Sequence, residues 1–405
     1  MSFAGLAFAY LHRRWGQAVL SMLVGALGIA AVATALVGFD ALPRAARHAW
    51  GGADLIVGPK GSALDLVLCC ALHVSEPRGL VSLSAATRAV RNPMIRAEAP
   101  IALGDNVEGW RIVGTVPALL DIYRARFASG AIWTDKLQAV AGATAARELG
   151  LKLGDSFISA HGLANSEDKH DKFPYKLVGI LKPTGSVLDR LVLTDIETVR
   201  YVHREQAKME VAERGSTDES PAAHAPDAAT AIVASFRLPT AALLVQRQID
   251  ADDRLTAANP SFEIARLLSY ARPLTAAVTG FGLLLMGIAA VAAALGLLAT
   301  MSARTRDLAL LRALGASRAG LATVALCESA MIGIGALALG LLMATGLLAL
   351  ARDFLLVRTG LLLQPEPDAS LFVLLLAGTG LAILLAAAVP AGRAIRTDME
   401  ELLQS

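Results

Sequence analysis

Residues Ser302–Ser317 read SARTRDLALLRALGAS, a short charged stretch between two long apolar runs, Leu274–Met301 and Leu321–Leu350. A polar turn between two apolar runs needs arginines, but it has no use for regularly spaced leucines. Leu308, Leu311 and Leu314 recur at helical spacing and make one apolar stripe. Asp307 falls in the first turn, where an acidic group suits the positive end of the helix dipole. Arg304 and Arg306 stand where the preceding run ends, and Arg312 stands near the other end of the stretch. Gly315 is a helix stop, and Ser317 is a suitable N-cap for the run that follows. The pattern predicts a short amphipathic helix within residues 302–320, outside the membrane, with one greasy face available to a partner.

That reading requires the flanking runs to cross a bilayer, and the composition agrees. Of 405 residues, 55% are hydrophobic and 18% charged, and the mean hydropathy is +0.54. An ordinary soluble chain is more polar. A spanning helix needs roughly 20 consecutive apolar residues. Besides the two runs above, Ala18–Phe39 and Ser370–Ala391 meet that length. The expected architecture is an α-helical membrane protein with four transmembrane helices and a large mixed α+β extracytoplasmic domain between the first and second. Its segments are 1–39 (N-terminus and first span), 40–272 (exterior domain), 273–301 (second span), 302–320 (connecting helix), 321–350 (third span), 351–369 (short outer loop), 370–391 (fourth span) and 392–405 (tail). The net charge of +2 gives no basis for a nucleic-acid partner.

Lysine and arginine accumulate on the cytoplasmic side of a membrane protein. Arg13 and Arg14 precede the first run, Arg304, Arg306, Arg312 and Arg318 lie between the second and third, and Arg393 and Arg396 follow the fourth. All three groups read as cytoplasmic, so both termini are expected inside, in a bacterial inner membrane. Residues 351–369 mix Arg352 and Arg358 with Asp353, Glu366 and Asp368, the weaker balance of an outward loop. Ala33-Thr34-Ala35 satisfies a signal-peptidase pattern, but the apolar run continues through Leu36, Val37 and Phe39 and exceeds a signal-peptide core of about 7 to 15 residues.

Within 40–272, the segments VEGWRIVGTVPALL and FPYKLVGILKPTGSVLDRLVLTDIETV alternate β-branched and polar residues between glycine and proline, as strands do. TAARELGLKLGDSF reads as a helix ending at Gly150, then a turn at Gly154-Asp155 into a strand. From about 205 to 231 the chain loses apolar periodicity and reads as a mobile insertion. NPSFEIARLLSYARPL runs from Asn259 directly into the second span and reads as a helical stalk.

Chemistry is sparse. Cys69 and Cys70 are adjacent, where a disulfide is geometrically awkward, and Cys327 lies in a span, so no disulfide framework is implied. Gly58, Lys60 and Gly61 do not make a phosphate loop, because Gly61 is followed by Ser62 where a lysine is required. No nucleophile elbow, zinc-protease helix or CxxC pair is present, so the expectation is a non-catalytic chain without a cofactor. His161 and His170, with Asp168 and Asp171, gather in HGLANSEDKHDK, with His203 and His224 distant in sequence. That spacing matches no compact metal site and reads first as a solvated loop. Glu328 is the one carboxylate in the third span, a costly position that is either buried against protein or snorkels to the interface.

The whole stretch SARTRDLALLRALGASRAGLATVALCESAMIGIGALALG resembles the signature of FtsX-like permeases, in which basic residues, an acidic residue, LRALGAS, a glutamate and a glycine-rich helix follow in that order. Four spans with a large exterior domain after the first are similar to the MacB-like and LolE-like members, the type VII ABC transporters. LGLKLGDSF and YKLVGILKPTGSVLDRLVL are similar to the second half of their exterior domain, and IVGPKGSALDLVL resembles a less-described MacB-like subgroup. The resemblance implies that Arg304, Arg306, Asp307, Leu308, Leu311, Arg312, Leu314 and Gly315 form the coupling helix that docks on an ATPase, with Glu328 as the signature glutamate. Asp307 stands where glutamate is more usual. No nucleotide-binding domain accompanies these residues, so the resemblance implies an ABC ATPase as a separate chain.

The implied mechanism is mechanotransmission, in which ATP-driven dimerisation of the ATPase tilts the spans and moves the exterior domain to expel a substrate or release a lipid-anchored one. A periplasmic adaptor or substrate-binding protein and membrane lipid are the expected partners. Small residues in GIAAVAAALG and GIGALALG permit close helix contact, so a second copy of the chain is expected as well. Two other roles compete: regulation of a cell-wall hydrolase, and metal-related transport through the histidine-containing segment. The topology is directly testable. In a background without native cysteines, Ser166→Cys and Ser317→Cys should react with an impermeant thiol reagent from opposite sides of the membrane. Equal labelling of both in intact cells would refute the four-span arrangement.

Overall fold

The computed structural model describes residues 3–13, 15–162, 172–214, 227–238, 241–302, 317–359, 361–366 and 369–396. It divides into two compact units: residues 1–42, 270–353 and 364–405, and residues 43–269 and 354–363. Along the chain, helix α1 (Phe3–Arg13) and helix α2 (Trp15–Ala49) precede strand β1 (Leu55–Pro59). Helix α3 (Ala63–Cys70) follows, capped by Ser62, whose hydroxyl accepts from the Asp65 amide. The short β2 (Val81–Ser82) leads into α4 (Leu83–Val90), capped by Ser82 in the same way. Next come β3 (Ile95–Val107), β4 (Trp110–Thr115), α5 (Ala118–Ile122), β5 (Phe127–Gly130), β6 (Gln138–Ala141), α6 (Ala143–Glu148), β7 (Ser156–Phe157), β8 (Ala160–His161) and β9 (Tyr175–Leu181). A 3-10 turn at Val187–Arg190 leads to β10 (Val192–Asp195), α7 (Ile196–Arg214), β11 (Ala228–Ala229), β12 (Ala231–Phe236), α8 (Ala241–Asp250) and β13 (Leu255–Ala258). Three long helices close the chain: α9 (Pro260–Ser302), α10 (Arg318–Thr359) and α11 (Ala369–Arg396).

Among the described residues, helices α2, α9, α10 and α11 are the four long and apolar enough to cross a membrane, and the mixed α/β domain lies between the first and second of them. Their contacts depend on residues without bulk. A Cβ on Gly28 of α2 would fall 2.6 Å from the Gly282 carbonyl oxygen of α9, and one on Gly282 would fall 2.8 Å from the Gly28 oxygen. Gly340 of α10 meets the Ala26 carbonyl, and Gly333 of α10 meets Ile383 of α11. Backbones that approach this closely gain dispersion along the helix pair, the main attraction available where lipid removes the hydrophobic drive. Ile29, Val32, Met286, Ala336, Leu348 and Leu375 fill the space beside these contacts. Leu284, Ile288, Val291 and Leu295 line one exposed face of α9, as a lipid-facing stripe requires.

The small residues of GIGALALG are thus engaged inside the chain: Gly333, Gly335 and Gly340 face Ile383, Met22 and Ile29. In GIAAVAAALG, Gly296 faces Gln17, whereas Gly287 has open space beside it.

The second unit is built on one eleven-stranded sheet, ordered β13-β1-β12-β3-β4-β10-β6-β9-β5, with β7 on β9 and β8 on β3. The thirteen-residue β3 serves both halves. Its first half pairs with β12 and its second half with β4, and the register slips between Leu103 and Asp105. Each half has its own core. Leu55, Val57, Ile232, Leu255 and Ala257 pack with Val90, Val245 and Ile249 of α4 and α8. Ile112, Ala139, Leu177 and Val192 pack with Ala145, Phe173 and Val202.

Several boundaries differ from those the apolar runs suggested. Helix α2 extends beyond Phe39 to Ala49, because Ala41, Ala45, Ala46 and Ala49 keep one buried face going. Pro43 lies inside it, at the division between the units. Helix α9, by contrast, starts at Pro260 and runs unbroken past residue 273, as the stalk read from Asn259 required, with the Asn259 side chain accepting from the Phe262 amide at 3.1 Å. Residues 351–359 are the last turns of α10, where Arg190 donates to the Leu356 carbonyl at 3.2 Å, and beyond them Leu361 and Leu363 are buried. The segment from 205 is helical to Arg214: Lys208 pairs with Glu205 at 2.8 Å, and Met209 packs on the sheet core. The remainder of that proposed insertion up to 226 lies outside the described residues.

The Gly28–Gly282 crossing makes a sharp forecast. Gly28→Leu should lower the thermal stability of the detergent-purified protein strongly, since overpacking costs about 1–3 kcal/mol even where the backbone can shift. Gly280→Leu, on α9 two residues before Gly282 and with open space beside it, should leave the melting temperature close to wild type.

Candidate functional site

The residues expected to couple the chain to an ATPase, Arg304, Arg306, Asp307, Leu308, Leu311, Arg312, Leu314 and Gly315, lie outside the described residues. The segment's far edge is described: the Ser317 hydroxyl accepts from the Gly320 amide at 3.0 Å and caps α10. Glu328, ten residues into that helix, is 5% exposed. It lines a small cavity with Tyr10, Gln17, Ser21, Gly296 and Ile332. Gly296 makes room there, since a Cβ would sit 2.6 Å from the Gln17 amide nitrogen. Glu328 is therefore buried in a cavity that it shares with the polar side chains Tyr10 of α1 and Gln17 and Ser21 of α2, the kind of surroundings that an ionisable group in a span requires. Ser329 and Thr379 are buried nearby.

The second unit brings together residues that the sequence kept apart. Asp105 of β3, 1% exposed, has His203 Nε2 at 3.0 Å and His161 Nδ1 at 3.3 Å from the same carboxylate oxygen. The two imidazoles stand edge to face with centroids 5.1 Å apart. All three ligand atoms lie within 4.8 Å of one another. Asp105 arrives at the register slip of β3, and it pairs across to His161 of β8. Asn106 fixes β8 from behind by donating to the carbonyls of Ala160, His161 and Gly162 at 3.1, 3.2 and 2.9 Å. Gly104 leaves the gap for the second ring, because a Cβ there would lie 3.1 Å from His203 Cε1. His203 itself is carried by α7, anchored through buried Val199 and Val202.

His161 was singled out in the sequence, and its neighbour His170 lies outside the described residues. His203 stood as a distant possibility, and Asp105 was missed. One signal for it was present: Asp105-Asn106 interrupts the otherwise apolar PIALGDNV, and a strand buries such a pair only with partners to receive it. Tyr175 beside this group is held well above the ordinary phenol range, first by burial and then by the Asp105 charge.

Residues 279–399 match the family model described as FtsX-like permease C-terminal. Those residues are an FtsX-like permease domain. Solved structures similar to the chain include the periplasmic region of MacB from Actinobacillus actinomycetemcomitans, at 12% identity over 54% of this chain and 94% of that one, with a TM-score of 0.34. They also include the extracellular domain of the noncanonic ABC-type transporter YknZ from Gram-positive bacteria, at 10% identity over 51% of this chain and 99% of that one, with a TM-score of 0.29. No curated protein matches the chain in sequence.

A third buried polar group lies in the α/β domain. Cys69 and Cys70 are free and buried on α3. Arg111 donates to the Ser75 carbonyl at 2.9 Å and holds the loop that follows. His73 in that loop takes a left-handed φ of 54°. Burial, with Arg111 adding, pushes its imidazole down from 6.5 to about 3. Between those values the unfolded chain binds a proton that the folded chain refuses. His73 therefore favours the fold fully above its unfolded value, and that contribution is lost on acidification toward about 3, by up to about 1.4 kcal/mol per pH unit. His73→Asn, which tolerates the left-handed backbone, should flatten the fall in melting temperature of the purified permease across that window. An unchanged acid profile would show that His73 is not the group responsible.

Proposed function

We propose that this permease is the membrane subunit of an ABC transporter that works by mechanotransmission, driven by a separate ATPase chain. One observation carries the reading: an FtsX-like permease domain over residues 279–399, in a chain whose large α/β domain stands between its first and second membrane-length helices. Residues 304–315 would dock on the ATPase through the stripe of Leu308, Leu311 and Leu314, with the arginines and Asp307 at its edges. The helix that precedes them, α9, has 43 residues, about 65 Å at 1.5 Å per residue. Its early residues Ile264 and Leu268 are buried, while its later part belongs to the membrane unit. A rigid rod of this kind carries a push at one end to the other without a substrate passing between the spans. Two copies would act together in the cytoplasmic membrane, with termini and coupling segment on the ATPase side. Their α/β domains would move to expel a substrate or to release a lipid-anchored one on the far side, with an adaptor or binding protein as partner.

Both ends of the mechanism can be tested with an ATPase encoded beside the permease. Leu311→Asp should abolish co-purification and stimulated hydrolysis while membrane insertion persists, because an unpaired charge in a docking surface costs several kcal/mol. Leu267→Gly with Tyr270→Gly, both exposed on α9, should soften the rod by roughly 1 kcal/mol each. That variant should keep near-normal hydrolysis and lose export or release. A fully coupled complex carrying Leu311→Asp would refute the docking role, and undiminished transport with the softened helix would refute transmission.

A further inference from the structure

We propose that Asp105, His161 and His203 form a binding site for a divalent transition metal, with Zn2+ the best-suited ion, in the α/β domain. The donor set is one carboxylate and two imidazoles, the combination that suits zinc and its neighbours rather than calcium or magnesium. Ligands at roughly 2.0–2.2 Å from a tetrahedral ion stand about 3.3–3.5 Å from one another. The observed separations of 3.0 and 3.3 Å from the carboxylate oxygen to the two ring nitrogens are within a few tenths of an ångström of that edge. A small outward shift of each ring admits the ion.

A hydrogen-bonded Asp–His pair would account for one of these contacts. It would not account for two rings from different elements aimed at one oxygen, with the backbone adjusted for both. The slip in β3 presents Asp105, the amide of Asn106 locks the strand bearing His161, and Gly104 gives up a side chain so that His203 can approach. The ligands come from β3, β8 and α7, so the site forms only in the folded domain. Burial differs along it as an ion path requires: the carboxylate is 1% exposed, while the His161 and His203 side chains are 37% and 28% exposed. The ion would enter past the rings and meet the charge at the bottom. Among the described residues the site has three protein ligands, and a tetrahedral ion takes a fourth, from water, an incoming group or a further side chain. This assignment stands on the α/β domain alone and does not depend on the transport mechanism.

The test uses full-length permease purified in detergent and stripped with a chelator. Co2+ is titrated first, because a tetrahedral Co2+ site shows intense ligand-field absorption, and Zn2+ is then added in competition. The expected result is one Co2+ per chain, bleached by one equivalent of Zn2+, with Zn2+ raising the melting temperature. His161→Gln and His203→Gln should each weaken Zn2+ binding by more than the 10–100-fold typical of losing an outer-shell partner. His12→Gln, at an exposed histidine, should bind as wild type. Asp105→Asn keeps the shape and should lose binding while the chain still melts cooperatively. Absence of ligand-field absorption in the wild type would overturn the proposal. So would wild-type affinity in the His161→Gln/His203→Gln double variant.

Discussion

A peptide group surrounded by hydrocarbon has no water to bond, so any segment crossing a bilayer must satisfy its own backbone. Four long helices do this here, and the remainder of the membrane unit follows from how closely they approach. Lipid tails are as apolar as leucine, so the helices gain little by hiding leucines from lipid. They gain by bringing backbones together. Gly28 against Gly282 and Gly340 against Ala26 are the places where that happens. Glu328 belongs to the same logic, since its carboxyl is tolerable only because Gln17, Tyr10 and Ser21 line the cavity that receives it.

The α/β domain solves a different problem. Water covers its surface, so apolar area can drive its folding, and it builds two cores on one sheet. Strand β3 is the common member, with one half in each core. The strand changes its pairing partner between Ile101, on β12, and Ala102, on β4, and the register slip beside Gly104 lies a few residues further on, within the pairing with β4. The same irregularity delivers Asp105 and Asn106 to the group formed with His161 and His203. The register slip of the sheet and the chemistry of the site thus meet within three consecutive residues.

The two units hold different kinds of polar group. The membrane unit buries one carboxylate, Glu328, in its third long apolar helix, whereas the α/β domain buries Asp105 with two imidazoles against one of its oxygens.

Much of this was legible in the sequence, and the reason is physical. Runs of about 20 apolar residues have few stable fates other than spanning, so the membrane helices and the interposed domain followed from composition and periodicity. The Ser317 cap and the turn after α6 were legible as well, because capping and turn chemistry act over three or four residues. Apolar runs locate a bilayer crossing but not the end of a helix, so α2 and α10 outran their apolar cores, whereas the backward extension of α9 to Pro260 was legible in NPSFEIARLLSYARPL. The Asp105–His161–His203 group could not be read in advance. Its members are separated by 98 positions between Asp105 and His203, and no local rule joins them. Only the pairing of β8 with β3, and the return of α7 past Gly104, decided that three ordinary polar residues share one oxygen.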